Sequence, residues 1–224
     1  MPNRPTALNI PLPEGGAISG LLQAPPKAHA CYVLAHGAGA GMNHAFMAAI
    51  AQGLAERDIA TLRFNFPFME QGSKRPDSPA VAHAAIRAAV AEAARQLPGV
   101  PLFAGGKSFG GRMTTQAQAS DPLPGVRAIA LVGFPLHPAG KPSVERAEHL
   151  RKIKVPMLFL QGTRDGLADM DLIRDTTANL GKRATLHVVD GADHAFHVLV
   201  RSGRTDEQVR EELLDTLAGW MKKH

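Results

Sequence analysis

Cysteine is nearly absent. Cys31 is the only one in 224 residues, so no disulfide can form within the chain, and a cross-linked scaffold or a cysteine-built metal cluster is excluded. A reducing compartment fits this usage, and a cytoplasmic location is the expectation. Aromatic residues are also scarce, at 5% with one tryptophan and one tyrosine, and none interleave with basic residues to make a stacking platform for single-stranded nucleic acid. No apolar run reaches the roughly 20 residues of a membrane-spanning helix. The opening stretch MPNRPTALNIPLPEGG sets prolines and polar residues where a secretory signal has an unbroken apolar segment.

An excess of one charge is lacking as well. The net charge is +5 and the pI about 9.7, but outside Arg151-Lys152-Ile153-Lys154 and Lys222-Lys223 the basic residues are dispersed among acids. Neither nucleic acid nor a membrane is therefore an expected partner. The ten histidines show no H-E-x-x-H or comparable clustered spacing, so no metal is expected, and no cofactor motif stands out.

What the chain does have is 45% hydrophobic residues, ample for a sizeable core, and no repeat, low-complexity tract or linker. One domain over residues 1–224 is expected. Ala7 to Leu12 and Ala17 to Ala24, separated by Pro13-Glu14-Gly15-Gly16, read as two strands and an antiparallel start. Cys31 to Ala35 is a continuous apolar run, as in a strand buried on both faces of a parallel sheet, and it ends in His36-Gly37-Ala38-Gly39-Ala40-Gly41.

From Asn43 the period changes. Phe46, Met47, Ile50 and Leu54 predict a helix to about Arg57, and Ile59 to Phe64 is the next strand. A loop over Asn65 to Pro76 follows, then a helix capped by Ser78 with Pro79 at its first position. Ile86, Val90, Ala93 and Leu97 form its apolar face, with Arg87, Glu92 and Arg95 largely outside it. Further strands are expected at Val100 to Ala104, Val126 to Phe134, Val155 to Leu160 and Thr185 to Val189.

Between them fall a short helix near Val144 to Ile153 and one that Asp169 starts and Gly181 ends. A last helix begins at the Thr205/Gln208 capping box and buries Val209, Leu213, Leu217 and Trp220. This alternation specifies an α/β fold with a mainly parallel sheet, helices on both faces, and functional loops beyond the carboxyl ends of the strands.

One such strand end carries Gly106-Lys107-Ser108-Phe109-Gly110, a G-x-S-x-G turn that raises a serine hydroxyl above the sheet. Ser108 is the candidate nucleophile. An activated serine needs a base and a group that orients the base, in the chain order serine, acid, histidine. Asp165, past the strand Pro156 to Leu160, is the candidate acid, with Asp193 and Asp190 as substitutes. His194, on the loop after the last strand, is the candidate base, with His197 as the alternative.

The oxyanion that forms during acyl transfer needs two backbone N–H groups. Phe109 supplies one, and Ala38 or its neighbour Gly39 the other. His44 and His137, on loops expected to border the site, are candidate substrate contacts, and Phe66 and Phe68, with Met69, are candidates to line an acyl pocket. His36 reads as a hydrogen-bonded structural histidine. The glycines at 37 to 41 match neither G-x-G-x-x-G nor a P-loop.

With these motifs in order, the chain resembles the α/β-hydrolase superfamily over nearly its whole length. HGAGAGMNH at 36–44, RFNFPFMEQG at 63–72, GGKSFGGR at 105–112 and GFPLHP at 133–138 are similar to a small lidless branch. That branch includes dienelactone-hydrolase-like bacterial proteins and the hydrolase-like domain of a eukaryotic histone-acetyltransferase complex subunit. The resemblance implies a sheet of about eight strands and Ser108, Asp165 and His194 as a triad. Dienelactone hydrolases proper carry a cysteine nucleophile, which this elbow lacks, so that activity is not carried over. About 20 residues separate Phe134 from the strand at Val155, too few for a lid domain.

The expected function is that of a serine hydrolase acting on a small carboxylic ester or thioester, a small molecule being the partner. Peptidase and other acyl-transfer chemistry uses the same groups. The alternative is a non-catalytic hydrolase-like interaction module. The oligomeric state is not readable from the sequence.

Overall fold

The structure, a computed structural model, describes residues 4–224. Met1, Pro2 and Asn3, which open the stretch compared above with a secretory signal, lie outside the described residues.

Eight strands form one sheet: β1 (Thr6–Pro11), β2 (Ala17–Gln23), β3 (Ala30–Ala35), β4 (Ile59–Phe64), β5 (Leu102–Lys107), β6 (Val126–Val132), β7 (Met157–Gly162) and β8 (Ala184–Val189). Their spatial order is β1-β2-β4-β3-β5-β6-β7-β8. The turn at 13–16 folds β1 antiparallel onto β2, and β2 lies antiparallel on β4. From β4 to β8 every pairing is parallel. Strands β3 and β4 are buried at every residue, as expected of central strands covered on both faces.

The helices are α1 (Ala45–Ala55), α2 (Pro67–Glu70), α3 (Pro79–Gln96), α4 (Phe109–Ser120), α5 (Met170–Leu180) and α6 (Asp206–Met221). Alternation along β3 divides the core. Cys31, Val33 and Ala35 point to one face, where they join Ile86 and Val90 of α3, Met113 of α4 and Ile173 of α5. Tyr32 and Leu34 point to the other, with Ile50 and Leu54 of α1 and Leu213, Leu217 and Trp220 of α6. Among the described residues no helix is long and apolar enough to cross a membrane.

Several elements differ from expectation. The segment near Val144 to Ile153 is a 3₁₀ helix, Glu145–Lys152, between the loop after β6 and β7. The loop over Asn65 to Pro76 contains α2. Ser78 stands at the N-cap of α3 ahead of Pro79, but its side chain makes no capping hydrogen bond. Glu92 is buried, at 7% exposure, rather than on the solvent face. Its carboxylate is covered by donors that bond it, Arg95 Nε (2.9 Å) and Gln96 Nε2 (2.7 Å), which explains how an acid stays at a buried position. The Thr205/Gln208 capping box at the start of α6 and the Asp169 cap of α5 form as the sequence specifies.

Between Val132 and Met157 the chain runs through a loop and the 3₁₀ helix, with no separate lid. The carboxyl ends of β3, β5, β7 and β8 consequently open onto a shared, uncovered space.

Candidate active site

Ser108 lies between the last residue of β5 and the first of α4, with φ 51° and ψ −116°. A non-glycine residue is strained in that conformation. Its N–H donates to the Val132 carbonyl at 3.1 Å, which ties the turn to β6. The flanking glycines are required by close approach. A Cβ on Gly106 would lie 2.2 Å from the Ala35 carbonyl oxygen, and one on Gly110 would lie 2.5 Å from the same atom. The elbow is thus wedged against the end of β3, and its hydroxyl is carried above the sheet.

His194 meets that hydroxyl from the loop after β8. Its Nε2 is 2.8 Å from Ser108 Oγ, and its Nδ1 is 2.7 Å from Asp165 Oδ2. A carboxylate only accepts, so Nδ1 carries the proton and Nε2 is left to accept from the serine hydroxyl. Asp165 is 5% exposed, in the loop after β7. Its Oδ1 accepts from Leu167 N–H at 2.8 Å, and its Oδ2 also accepts from Gln161 Nε2 at 2.5 Å. The two loops are packed closely: a Cβ on Gly162 would meet the Ala192 carbonyl oxygen at 2.3 Å, and Arg164 N–H donates to that oxygen at 2.9 Å.

The residues kept as substitutes have other work. Asp193 Oδ1 accepts the N–H groups of Ala195 (2.8 Å) and His197 (3.0 Å), so it shapes the turn that presents His194. His197 is exposed and pairs with Asp206 at 2.8 Å, which raises its pKa. Asp190 accepts from the Thr163 hydroxyl at 3.3 Å. None of the three hydrogen-bonds the Ser108 hydroxyl, whose partner is His194.

Facing the elbow, the glycine loop after β3 contributes Gly37, Ala38, Gly39 and Ala40 to a cavity of about 400 Å³ that also has Ser108, His194, His44, Phe46 and Met47 in its walls. A Cβ on Gly37 would sit 3.7 Å from Ser108 Cβ, so the loop runs directly beside the serine. Phe109 opens α4, where first-turn N–H groups have no acceptor within the helix. His44 caps α1, its Nδ1 accepting from Phe46 N–H at 3.2 Å, and lies in the cavity wall as expected.

Phe66, Phe68 and His137 do not line this cavity. Phe66 and Phe68 are buried, and they pack with His36 and Phe109 as an aromatic cluster at centroid separations of 4.9 to 6.2 Å. Burial of two phenyl rings is worth more than leaving them on a wet rim, so α2 folds them under the site rather than into it. His137 is 3% exposed, and its Nε2 accepts from Asp169 N–H at 2.8 Å. That bond joins the loop after β6 to the N-terminus of α5.

His36 is structural, as expected: fully buried, with Nε2 accepting from Phe66 N–H at 3.1 Å and Nδ1 2.7 Å from the Gly37 carbonyl, which it can serve only as donor. Burial lowers its pKa and keeps it neutral.

Four supporting residues escaped the sequence reading. Gln161 donates to Asp165. Asn65 Oδ1 accepts from Met42 N–H at 2.9 Å, and the buried Arg63 donates to the Met42 carbonyl at 2.8 Å, so the backbone is held on both sides of Met42, just after the glycine loop. The fourth is Lys107, whose ammonium donates to the His194 carbonyl at 2.5 Å. Arg63, Asn65 and Lys107 were marked only by their place in the motif stretches, and Gln161 only by its place at the end of a strand.

A family model described as an alpha/beta hydrolase domain matches residues 28–222, and the chain belongs to that family. Similar solved structures include a lidless α/β serine hydrolase from Xanthomonas campestris, with 21% identity, a TM-score of 0.74, and coverage of 98% of this chain and 96% of that one. A dienelactone hydrolase from Anabaena variabilis is 18% identical with a TM-score of 0.79, covering 100% and 99% of the two chains. An α/β serine hydrolase homologue from Coxiella burnetii is 21% identical at 0.76, covering 95% and 97%. At these identities the likeness is one of fold.

Proposed function

We propose that the protein is a serine hydrolase of small carboxylic esters or thioesters. The observation that carries this is the unbroken chain from Ser108 Oγ through His194 to the buried Asp165 carboxylate, at 2.8 and 2.7 Å. In this reading Oγ attacks the acyl carbon while Nε2 of His194 takes its proton, and Asp165 orients the ring and stabilises the imidazolium. The N–H groups of Phe109 and Ala38 receive the oxyanion. Collapse of the tetrahedral intermediate expels the alkoxide or thiolate, which Nε2 protonates. Water then attacks the acyl-enzyme by the same path, releasing the acid and restoring Ser108.

The apolar side chains of Phe46 and Met47 and the modest cavity support a small acyl or alcohol group. A fluorophosphonate probe tests the reading directly. Wild type should be labelled, Ser108→Ala should not, and His194→Ala should react at least a hundred times more slowly, in line with the ~10²–10⁴-fold that general acid–base catalysis contributes. A folded wild type that takes no label at Ser108 would favour the interaction module instead. A series of p-nitrophenyl esters of rising chain length would then bound the acyl group.

A further inference from the structure

We propose that Lys107 is a positioning residue of this site, its ammonium clamping the base loop to the nucleophile strand, and that the protein keeps it for activity at the expense of stability. The inference rests on the serine hydrolase reading above.

Lys107 is the last residue of β5 and the one before Ser108. Its side chain crosses to the loop after β8, where Nζ donates to the carbonyl oxygen of His194 itself at 2.5 Å and lies 5.3 Å from the centre of the Phe196 ring. A hydrogen bond from a charged donor is about twice as strong as a neutral one, and a cation over an aromatic face adds to it. Phe196 has φ 65°, unusual for a bulky residue, and stacks on Phe46 of α1 at 6.1 Å. The ammonium therefore grips a strained turn at both the backbone and the ring.

Gly133, at φ 67° just after β6, leaves the room for this. A Cβ there would lie 2.9 Å from Lys107 Nζ and 3.5 Å from His194 Nδ1, which makes the two groups close neighbours. The charges facing the ammonium are Asp165 from the loop after β7 and Asp193 from the loop after β8. Neither hydrogen-bonds it, and its one acceptor among the described residues is the His194 carbonyl.

Even a half-buried cation, in the wall of the cavity and with so little compensation, is costly. Burial pushes the Lys107 pKa down to about 8 from its ordinary 10.5, against the opposing pull of Asp165 and Asp193. The sign follows from linkage. Below pH 8 the folded state holds a proton it binds more weakly than the unfolded chain does, so folding is disfavoured there, and the penalty fades as pH rises from 8 to 10.5.

The experiment compares wild type, Lys107→Met and Ser108→Ala by fluorophosphonate labelling rate from pH 6 to 10 and by thermal melting. Met preserves the length of the side chain without charge or donors. In wild type the labelling rate should fall above about pH 8, as the ammonium becomes an amine. Lys107→Met should label about tenfold more slowly at pH 7, a loss of the size expected when a charged hydrogen bond is removed, and show no fall near pH 8.

Its melting temperature at pH 7 should exceed that of wild type by about 3 °C or more, with the gap closing toward pH 10. Ser108→Ala, unlabelled throughout, calibrates the signal. A wild-type rate that is flat from pH 7 to 10 overturns the proposal without reference to any variant, as does a Met variant with wild-type rate or lowered stability. Absence of Ser108-dependent labelling in wild type at every pH overturns the hydrolase reading as well, so the two failures are distinguishable.

Discussion

Asp165 and Asp193 lie on adjoining loops, and their hydrogen bonds assign them opposite kinds of work. Asp165 accepts one ring N–H, one amide N–H and one backbone N–H, and is buried, so its value is to fix the His194 ring and its tautomer. Asp193 accepts two backbone N–H groups of its own loop. Asp165→Asn should therefore leave the fold nearly intact while reversing the tautomer, since an amide can present its NH₂ to Nδ1 and strip Nε2 of its acceptor role. Ester hydrolysis should fall about 10³- to 10⁴-fold with little change in melting temperature. Asp193→Ala should instead loosen the turn, with a loss near tenfold and a melting temperature a few degrees lower, in keeping with roughly 1 kcal/mol for a lost local hydrogen bond. Steady-state rates on a p-nitrophenyl ester and a melting curve for each variant separate the two. Hydrolysis by Asp165→Asn within tenfold of wild type would end the assignment of Asp165 as the orienting acid.

At the scale of the elements, the site is assembled by loops that glycine lets approach and that side chains from neighbouring strands then hold. Asn65, at the end of β4, does this for the loop carrying Ala38 through its bond to Met42 N–H. Asn65→Ala should lower kcat about 10- to 100-fold by letting a proposed oxyanion donor drift. The contrast is Thr205→Ala, which removes the α6 capping box far from the chemistry. It should cost about 1 kcal/mol of stability and leave kcat unchanged. Equal effects of both variants on kcat would argue against a specific role for the Asn65 contact.

The same scale explains what was legible. Ser108, Asp165 and His194 each follow an apolar strand run and have a glycine within three residues, so strand ends alone placed them on one rim. Phe66 and Phe68 were misplaced because apolar residues in a loop do not announce whether the loop folds inward, and α2 does. Glu92 was misplaced because its burial depends on Arg95 and Gln96 closing over it, which periodicity does not register. Lys107 was visible only as the variable residue of G-x-S-x-G. Its acceptor is 87 positions away in the chain, on a loop whose path depends on the whole sheet.

At the scale of the molecule, Cys31 provides a reporter of how the fold opens. It lies on β3, hydrogen-bonded between β4 and β5 in the middle of the sheet, with no exposed surface. Burial pushes its thiol up to about 12, and its own N–H is donated to the Pro101 carbonyl at 2.8 Å. Reaction with a disulfide reagent requires the thiolate and access to it, so the native chain should be inert near neutral pH. Exposing Cys31 means separating β3 from two neighbours and from the helices on its face, and no fraying of an edge strand or of the site loops accomplishes that. If residues 1–224 form one domain, thiol reactivity should appear in the same urea transition as the loss of helical signal, with coincident midpoints. Reactivity well below the midpoint would show that the sheet opens locally between β3 and a neighbour. A single transition is the expected outcome, because the two cores share β3 as their common wall: its odd residues belong to one cluster and its even residues to the other, so neither core can melt without exposing the strand that backs its partner.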